Sequence, residues 1–255
     1  MAFASGDEQP SRPSPLRVLY RDDHLIAIDK PAGLLVHPSW IDRHETRSAM
    51  MLLRDQIGQY VYPVHRLDKP TSGVLLFALS PEIARRLTEV FSERSVDKRY
   101  LAVVRGYTEE SGLIDYPLRE KPDKMTDRQT QADKPAQSAV TAYRRLATLE
   151  LPVRVDRYPS SRYSLIEARP RTGRKHQLRR HFKHLSHPII GDTRYGKSNH
   201  NRLFAEQFGC HRLLLAATRL ILPHPVSGET LTLESALDPV FARVTEGFQA
   251  DIDKS

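Results

Sequence analysis

The segment HRLDKPTSG, residues 65–73, sets a single carboxylate, Asp68, between Arg66 and Lys69, with His65 close by and the apolar run VLLFAL directly after it. Neighbouring cations favour the charged form of a carboxyl group, which keeps it available as a nucleophile or a base. The same residues also fit an Asp-x-Pro turn in which Asp68 only balances Arg66 or Lys69. A second concentration of chemistry lies in residues 169–183, which carry seven Lys or Arg, two His and no acid. His176, His181, His184 and His187 invite a test as metal ligands. Their neighbours are cationic and no carboxylate is interleaved, so the local field repels a divalent ion. Phosphate-facing or structural roles fit them better, and no metal is expected. The chain lacks G-x-x-x-x-G-K-[ST], G-x-G-x-x-G and G-x-S-x-G motifs and any paired-cysteine spacing. Nucleotide hydrolysis, dinucleotide redox chemistry and cysteine-ligated zinc therefore lack support.

The whole chain shares that positive bias. Its 255 residues hold 39 Lys and Arg against 31 Asp and Glu, a net charge of +8. Such a balance favours a polyanion, because each phosphate neutralised releases counterions, and nucleic acid is the first partner it suggests. With 39% hydrophobic and 27% charged residues the composition is that of a folded domain. Cys210, the only cysteine, cannot form an internal disulfide and suits a reducing cytoplasm. Apolar stretches such as residues 74–79 fall far short of the ~20 residues a bilayer requires, so no membrane association is expected. The opening MAFASGDEQPSRPSPL lacks the basic start and apolar run of a secretory signal. It predicts a disordered lead-in over residues 1–15, with one domain over residues 16–255.

The elements that must position these groups follow from pattern. Residues 16–36 read as two strands joined at Asp22-Asp23, and residues 40–59 show helical spacing at Met51, Leu52 and Ile57. Residues 74–79 have the density of a buried central strand. A helix follows, with Ser80 as its N-cap, Pro81 in its first position, and Ile83, Leu87, Val90 and Phe91 on one face, ending near Arg94. Residues 100–104, 139–149 and 162–168 predict strands, while residues 119–138, almost without apolar side chains, predict a loop. Thr172 stands where it could cap a helix whose apolar side is Leu178, Phe182 and Leu185. Beyond it come the loop HPIIGDTRYG, an amphipathic segment over 203–208, a strand before Pro223, the turn HPVSG, the strand LTL and a last helix capped by Asp238-Pro239. Irregularly spaced strands, few helices and hairpin-length turns predict an α+β fold with a mixed, mostly antiparallel sheet.

Three segments in order resemble one family. HRLDKPTSG resembles the catalytic loop of the RluA-type pseudouridine synthases. KRYLAVVRG at 98–106 is similar to their K-x-Y-x-A-x-V-x-G strand, and TGRKHQLRRH at 172–181 to the start of their TGR-x-HQ-[IL]-R helix. HPIIGDTRYG at 187–196 and IDKPAGLLVHP at 28–38 extend the likeness over nearly the whole chain from about residue 16. The resemblance implies a pseudouridine synthase fold, with the sheet in two halves, flanking helices, a catalytic cleft across it and no separate S4-type RNA-binding module. It implies an isomerase that uses no cofactor: the N-glycosidic bond of a uridine breaks, the base rotates while held, and C5 rejoins C1′ of the ribose. HPSWIDR, RDQIGQ and HFKHLSHPIIGD are most similar to members that modify uridine 65 of transfer RNA. Other transfer-RNA or ribosomal positions stay open, as does a non-catalytic RNA-binding protein using the same basic cleft.

Carried over by position, Asp68 matches the family's essential aspartate. Tyr100 matches the tyrosine that lies against the base and can take the C5 proton. Arg174 matches the arginine paired with the carboxylate, and Leu178 an apolar wall of the uracil pocket. Extruding a base from a stem costs a few kcal/mol of stacking and pairing, so the gap must be filled. The resemblance gives that place to Arg66, whose plainer alternative is a salt bridge to Asp68. His65, Lys175, Arg179, Arg180 and Lys183 are then expected to touch RNA, the cations through its phosphates. The expected partner is RNA, above all transfer RNA, bound by a cytoplasmic monomer.

Overall fold

The computed structural model describes residues 14–38, 47–93, 95–119 and 135–250. The expected lead-in and most of the 119–138 loop lie outside these residues. Strands β1 (Arg17–Arg21) and β2 (Leu25–Lys30) form the expected hairpin. Asp22 closes its turn by accepting the N–H groups of His24 and Leu25 at 2.7 and 2.8 Å. Helix α1 (Ala49–Ile57) is capped by the Ser48 hydroxyl, and β3 (Tyr62–Pro63) leads into β4 (Ser72–Ala78). Helix α2 (Pro81–Ser92) starts as the sequence predicts, with the Ser80 hydroxyl accepting the Ile83 N–H at 3.3 Å.

Every residue of β4 is buried, because helices cover both of its faces. Leu75 and Phe77 point to a cluster with Ile26, Ile28 and Leu53, on the α1 side. Val74, Leu76 and Ala78 point to Ile83 and Leu87 of α2. The period of two is the pleat itself.

The second half is built on β5 (Asp97–Arg105), β6 (Ser111–Asp115), β7 (Val140–Leu151) and β8 (Ser161–Pro170). Helix α3 (Gln177–His184) follows, then α4 (Ser198–Phe208), β9 (Leu215–Pro223), β10 (Thr230–Glu234), α5 (Pro239–Glu246) and the short β11 (Gln249–Ala250). One face of β5 and β8 packs Val103, Tyr163 and Leu165 against Phe204 of α4 and Phe241 of α5. The other packs Ala102, Val104, Ile166 and Ala168 against Leu178 and Phe182 of α3. Among the described residues no helix is long and apolar enough to cross a membrane.

The main path of the sheet runs β1-β2-β4-β9-β5-β8-β7-β11, with β3 beside β4, β6 beside β7 and β10 beside β9. Its halves meet where β4 pairs with β9 over two residues, Ser72 with Ala216 and Gly73 with Ala217, the one parallel pairing among the described strands. The expected mixed, mostly antiparallel sheet in two halves is therefore present. Beside that seam the β5–β9 register jumps, Arg99 facing Arg219 and Tyr100 facing Ala217, so Thr218 is an extra residue on β9. Such a bulge turns the local backbone, and here it falls at the residue expected to meet the base.

One local expectation fails. Thr172 is not the cap of α3: its hydroxyl donates to the Gln177 side chain at 2.7 Å and accepts the Val140 N–H at 3.0 Å. His176 holds the cap position instead. Strand β6 was not expected, since Gly112 weakens its pattern. That glycine lies where a side chain would strike the Tyr143 ring.

The seam also accounts for Gly73. Its φ is +108°, and a Cβ there would lie 2.1 Å from the Ala217 carbonyl oxygen. Gly73→Ala is expected to destabilise the fold by more than about 2 kcal/mol, combining backbone strain with that collision. Urea unfolding measures it, and an unchanged midpoint would refute the close approach.

Candidate active site

The loop ahead of β4 carries Asp68 at the seam, in a turn closed by the Thr71 N–H donating to the Asp68 carbonyl at 2.9 Å. Its next residue is tied down from β2. Lys30 is 0% exposed, and its ammonium donates to the carbonyls of Pro31, Leu34 and Lys69 at 2.9, 2.7 and 3.2 Å. The Gly33 N–H donates to the same Lys69 carbonyl at 2.8 Å. Burial, followed by the nearby Arg212, pushes Lys30 down to about 7, against the pull of Asp68 and Asp29. Three carbonyl acceptors require three N–H donors, so the charged form is the one that satisfies this cradle.

The Asp68 side chain is 25% exposed and meets α3 with both oxygens. Oδ2 accepts from Nη1 of Arg179 at 3.2 Å, and Oδ1 lies 4.0 Å from Nε2 of His176. Arg179 is only 6% exposed. Its Nε and Nη2 donate to the two oxygens of Asp192, itself 1% exposed, at 2.7 and 3.0 Å. Asp192 also accepts the backbone N–H groups of Arg194 and Tyr195, both at 2.9 Å. Burial works against the charges of Arg179 and Asp192, but their hydrogen bonds to each other more than offset it, so both stay ionised. The Arg179 guanidinium lies 5.2 Å from the centre of the Tyr195 ring.

Tyr100 comes from β5 and packs partly buried in two apolar clusters, one of them shared with Leu178 of α3. Burial first, and the Asp68 charge second, raise its phenol well above the ordinary tyrosine range. At neutral pH it is a protonated phenol within the field of the carboxylate. Tyr100 thus lies within the field of Asp68 and shares an apolar cluster with Leu178.

The arginine expected to pair with Asp68 is not the one that does. Arg174 is exposed, and its Nε donates to the Ser138 carbonyl at 3.1 Å. Gln177, buried and bonded to Thr172, to the Arg174 N–H and to the Val140 carbonyl, fixes where the helix begins. The side that turns toward Asp68 is therefore the one carrying Arg179. Arg179 in turn is no surface phosphate contact, because it is 6% exposed and turned to Asp192 and Asp68.

His65 is not placed to touch RNA either. Its Nε2 accepts the Leu76 N–H at 3.0 Å, and its ring stacks on Phe91 at 5.1 Å. Arg66 is exposed beside His37, and with Pro63, Val64 and His65 the two line a cavity of about 230 Å³. Arg66 makes no ion pair with Asp68. Lys175 and Lys183 are exposed, while Arg180 is half-buried and donates to the Arg119 carbonyl at 2.9 Å.

The histidine run disperses. His181 sits between the Thr141 hydroxyl and the Tyr116 carbonyl, His184 stacks on Tyr116, and His187 donates to the Arg105 carbonyl. His176 alone faces Asp68. Sequence reasoning named neither His176 nor Asp192 for this site. The available signal was the i, i+3 spacing of His176 and Arg179, which can place two side chains on one side of a helix.

With that geometry in hand, the chain compares as follows. The profile of the RNA pseudouridylate synthase family matches residues 24–184. The chain is 52% identical over 233 residues to a Vibrio cholerae protein named tRNA pseudouridine synthase C, covering 91% of this chain and 96% of that one. A protein of the same name from Haemophilus ducreyi is 56% identical over 223 residues, covering 88% and 91%. Among solved structures, human RNA pseudouridylate synthase domain containing 4 is similar, with a TM-score of 0.68, 28% identity, and coverage of 91% and 92%.

His65 makes a testable contribution to acid sensitivity. Burial, then the charge of Lys98, pushes it down from 6.5 to about 3. Between those values the unfolded chain binds a proton that the folded one refuses, so stability falls as pH drops through that window. His65→Gln keeps an acceptor for the Leu76 N–H and does not titrate. It is expected to lose less stability than the parent between pH 6.5 and 4.5, by at most about 1.4 kcal/mol per pH unit. Urea midpoints of both proteins at the two pH values supply the comparison; parallel losses would dismiss the assignment.

Proposed function

The chain belongs to the RNA pseudouridylate synthase family, and we propose that it converts a uridine of transfer RNA to pseudouridine. The observation that carries this reading is the Asp68 carboxylate at the seam of the sheet, 25% exposed, one oxygen held by Arg179 and the other 4.0 Å from His176, with its charge acting on Tyr100. The uridine to which we assign it is position 65. That finer choice rests on the likeness of HPSWIDR, RDQIGQ and HFKHLSHPIIGD, of which residues 39–43 lie outside the described part. The cytoplasm, where transfer RNA and reduced thiols coexist, is the compartment that the buried free Cys210 suits.

Isomerisation needs the glycosidic bond broken, the base retained, and a new bond made from C5 to C1′. Asp68 supplies the reactive oxygen, whether it attacks the sugar, adds to the base, or removes a ribose proton to give a glycal. Arg179 fixes which oxygen that is. By holding Oδ2 it leaves Oδ1 as the reactive one, and its charge stabilises the carboxylate each time it is regenerated. Leu178 and the Tyr100 ring, which share one apolar cluster, are the surfaces we assign to the detached uracil. The residues that deliver Arg179 also carry the exposed Arg174 and Lys175, with Lys183 one turn on, suited to phosphate oxygens. Arg66, exposed and planar, is the side chain we assign to the space that an extruded base leaves.

Two measurements test this. Asp68→Asn is expected to abolish pseudouridine formation, read by nucleoside chromatography of transfer RNA from complemented cells, while RNA affinity is retained; an active variant would refute the role. Arg66→Ala is expected to slow turnover at least about 10-fold on a folded stem, where base extrusion costs a few kcal/mol, and little on a single-stranded substrate. Equal losses on both substrates would remove Arg66 from base extrusion.

A further inference from the structure

Arg212 is a largely buried cation that the proposed reaction does not use. It stands just ahead of β9 with 14% of its side chain exposed. Nη1 pairs with Oδ2 of Asp238, whose other oxygen caps α5 by accepting the Val240 and Phe241 N–H groups at 3.1 and 3.2 Å. Nη2 donates to the Ser72 hydroxyl at 2.9 Å and to the Leu215 carbonyl at 3.3 Å, and Nε donates to the Leu213 carbonyl at 2.9 Å. The guanidinium also lies 5.7 Å from the centre of the Phe241 ring. An apolar side chain of similar volume would join β9 to α5 with less desolvation, but it could not hold a hydroxyl. Packing alone does not call for this charge.

What the charge reaches is the site. Ser72 is the first residue of β4, four residues after Asp68, and the N–H of Thr71 beside it closes the Asp68 turn. The Arg212 main chain meets the opposite limb. A Cβ on Gly191 would lie 1.9 Å from the Arg212 carbonyl oxygen, and the Leu214 N–H donates to the Ile190 carbonyl at 2.9 Å, so the two segments touch just before Asp192. Asp192 holds Arg179, and Arg179 holds Asp68. The contacts therefore form a closed ring. It runs from Asp68 through Ser72 to the Arg212 guanidinium, along the Arg212 main chain to Gly191 and Asp192, and through Arg179 back to Asp68.

We propose that Arg212 is a positioning residue for the isomerisation, the clasp that sets the Asp68 strand against the Asp192–Arg179 pair and so fixes the 3.2 Å contact between Arg179 and Asp68. It acts through those two residues and not on the uridine. Its planar fork aims several donors in fixed directions, which a lysine would not do. By keeping Oδ2 of Asp68 engaged, the ring holds the reactive oxygen in one orientation, and a displacement of about 1 Å in such a group can lower a rate about 10²-fold. The inference rests on the pseudouridine synthase reading above.

The test compares kcat, the dissociation constant for transfer RNA and the urea midpoint of the full chain. Ser72→Ala removes one contact and orphans nothing, because Nη2 keeps the Leu215 carbonyl and Nη1 keeps Asp238. It is expected to keep the parental midpoint and RNA affinity and to lower kcat about 10-fold, as a small displacement of the reacting groups would. Arg212→Met is expected to lower kcat further. A cycle with Asp192→Asn separates positioning from general stability. Once the ring is open at one link, opening a second changes little, so Ser72→Ala is expected to slow Asp192→Asn by much less than it slows the parent, whereas independent contacts would give losses that multiply. Should Arg212→Met or Asp192→Asn fail to fold, Ser72→Ala decides alone. Parental kcat in Ser72→Ala, a loss confined to RNA affinity, a kcat that falls only with the folded fraction, or a double variant whose losses multiply would overturn the role of Arg212. A parent that makes no pseudouridine would overturn the function itself.

Discussion

A guanidinium buried between two carboxylates is the interaction on which the rest of this structure depends. Arg179 gives Nε and Nη2 to Asp192 and one remaining nitrogen, Nη1, to Asp68. A buried cation without compensation would cost several kcal/mol, and Asp192, sealed and braced by two backbone N–H groups, supplies that compensation. Asp68 is then left with one constrained oxygen and one free. An exposed surface pair could not discriminate between the two oxygens, because solvent would let the contact exchange.

That arrangement joins three distant stretches of chain, and the sheet seam is what lets them meet. Two residues of parallel pairing bring β4, with the Asp68 loop ahead of it, against β9. The bulge at Thr218 lies beside Tyr100 on the neighbouring strand. Lys30 ties the backbone just past Asp68 to the end of β2, so the loop is held by a cation in a cradle of carbonyls rather than by packing alone. The site is held from underneath, and the Asp68 carboxylate keeps 25% of its surface exposed.

Legibility in the sequence followed the range of the forces involved. Helix α2 could be located because Ser80, Pro81 and the row from Ile83 to Phe91 act within one or two turns. Strand β4 stood out because an unbroken apolar run has few other uses. The start of α3 was misplaced because Thr172, a good local cap, finds its partner five residues ahead in Gln177 and another 32 residues back in Val140. His65, beside the reactive acid in sequence, belongs to the packing of Leu76 and Phe91. Asp192 looked like part of a loop, because nothing within its own segment announces a buried arginine 13 residues earlier.

The sequence by itself determined the chemical inventory: a lone acid among cations, a tyrosine on a strand, a basic helix, the α+β class and the family likeness. Those properties reside in residue types and short spacings, which survive without coordinates. Only the tertiary structure decided that Arg179 and not Arg174 reaches Asp68, and that His176 faces the other oxygen. Five residues along a chain that passes from loop to helix change the side a residue faces, and that direction depends on where the helix begins. In this protein the beginning is set by Gln177 and by a left-handed His176, both held by contacts from remote parts of the fold.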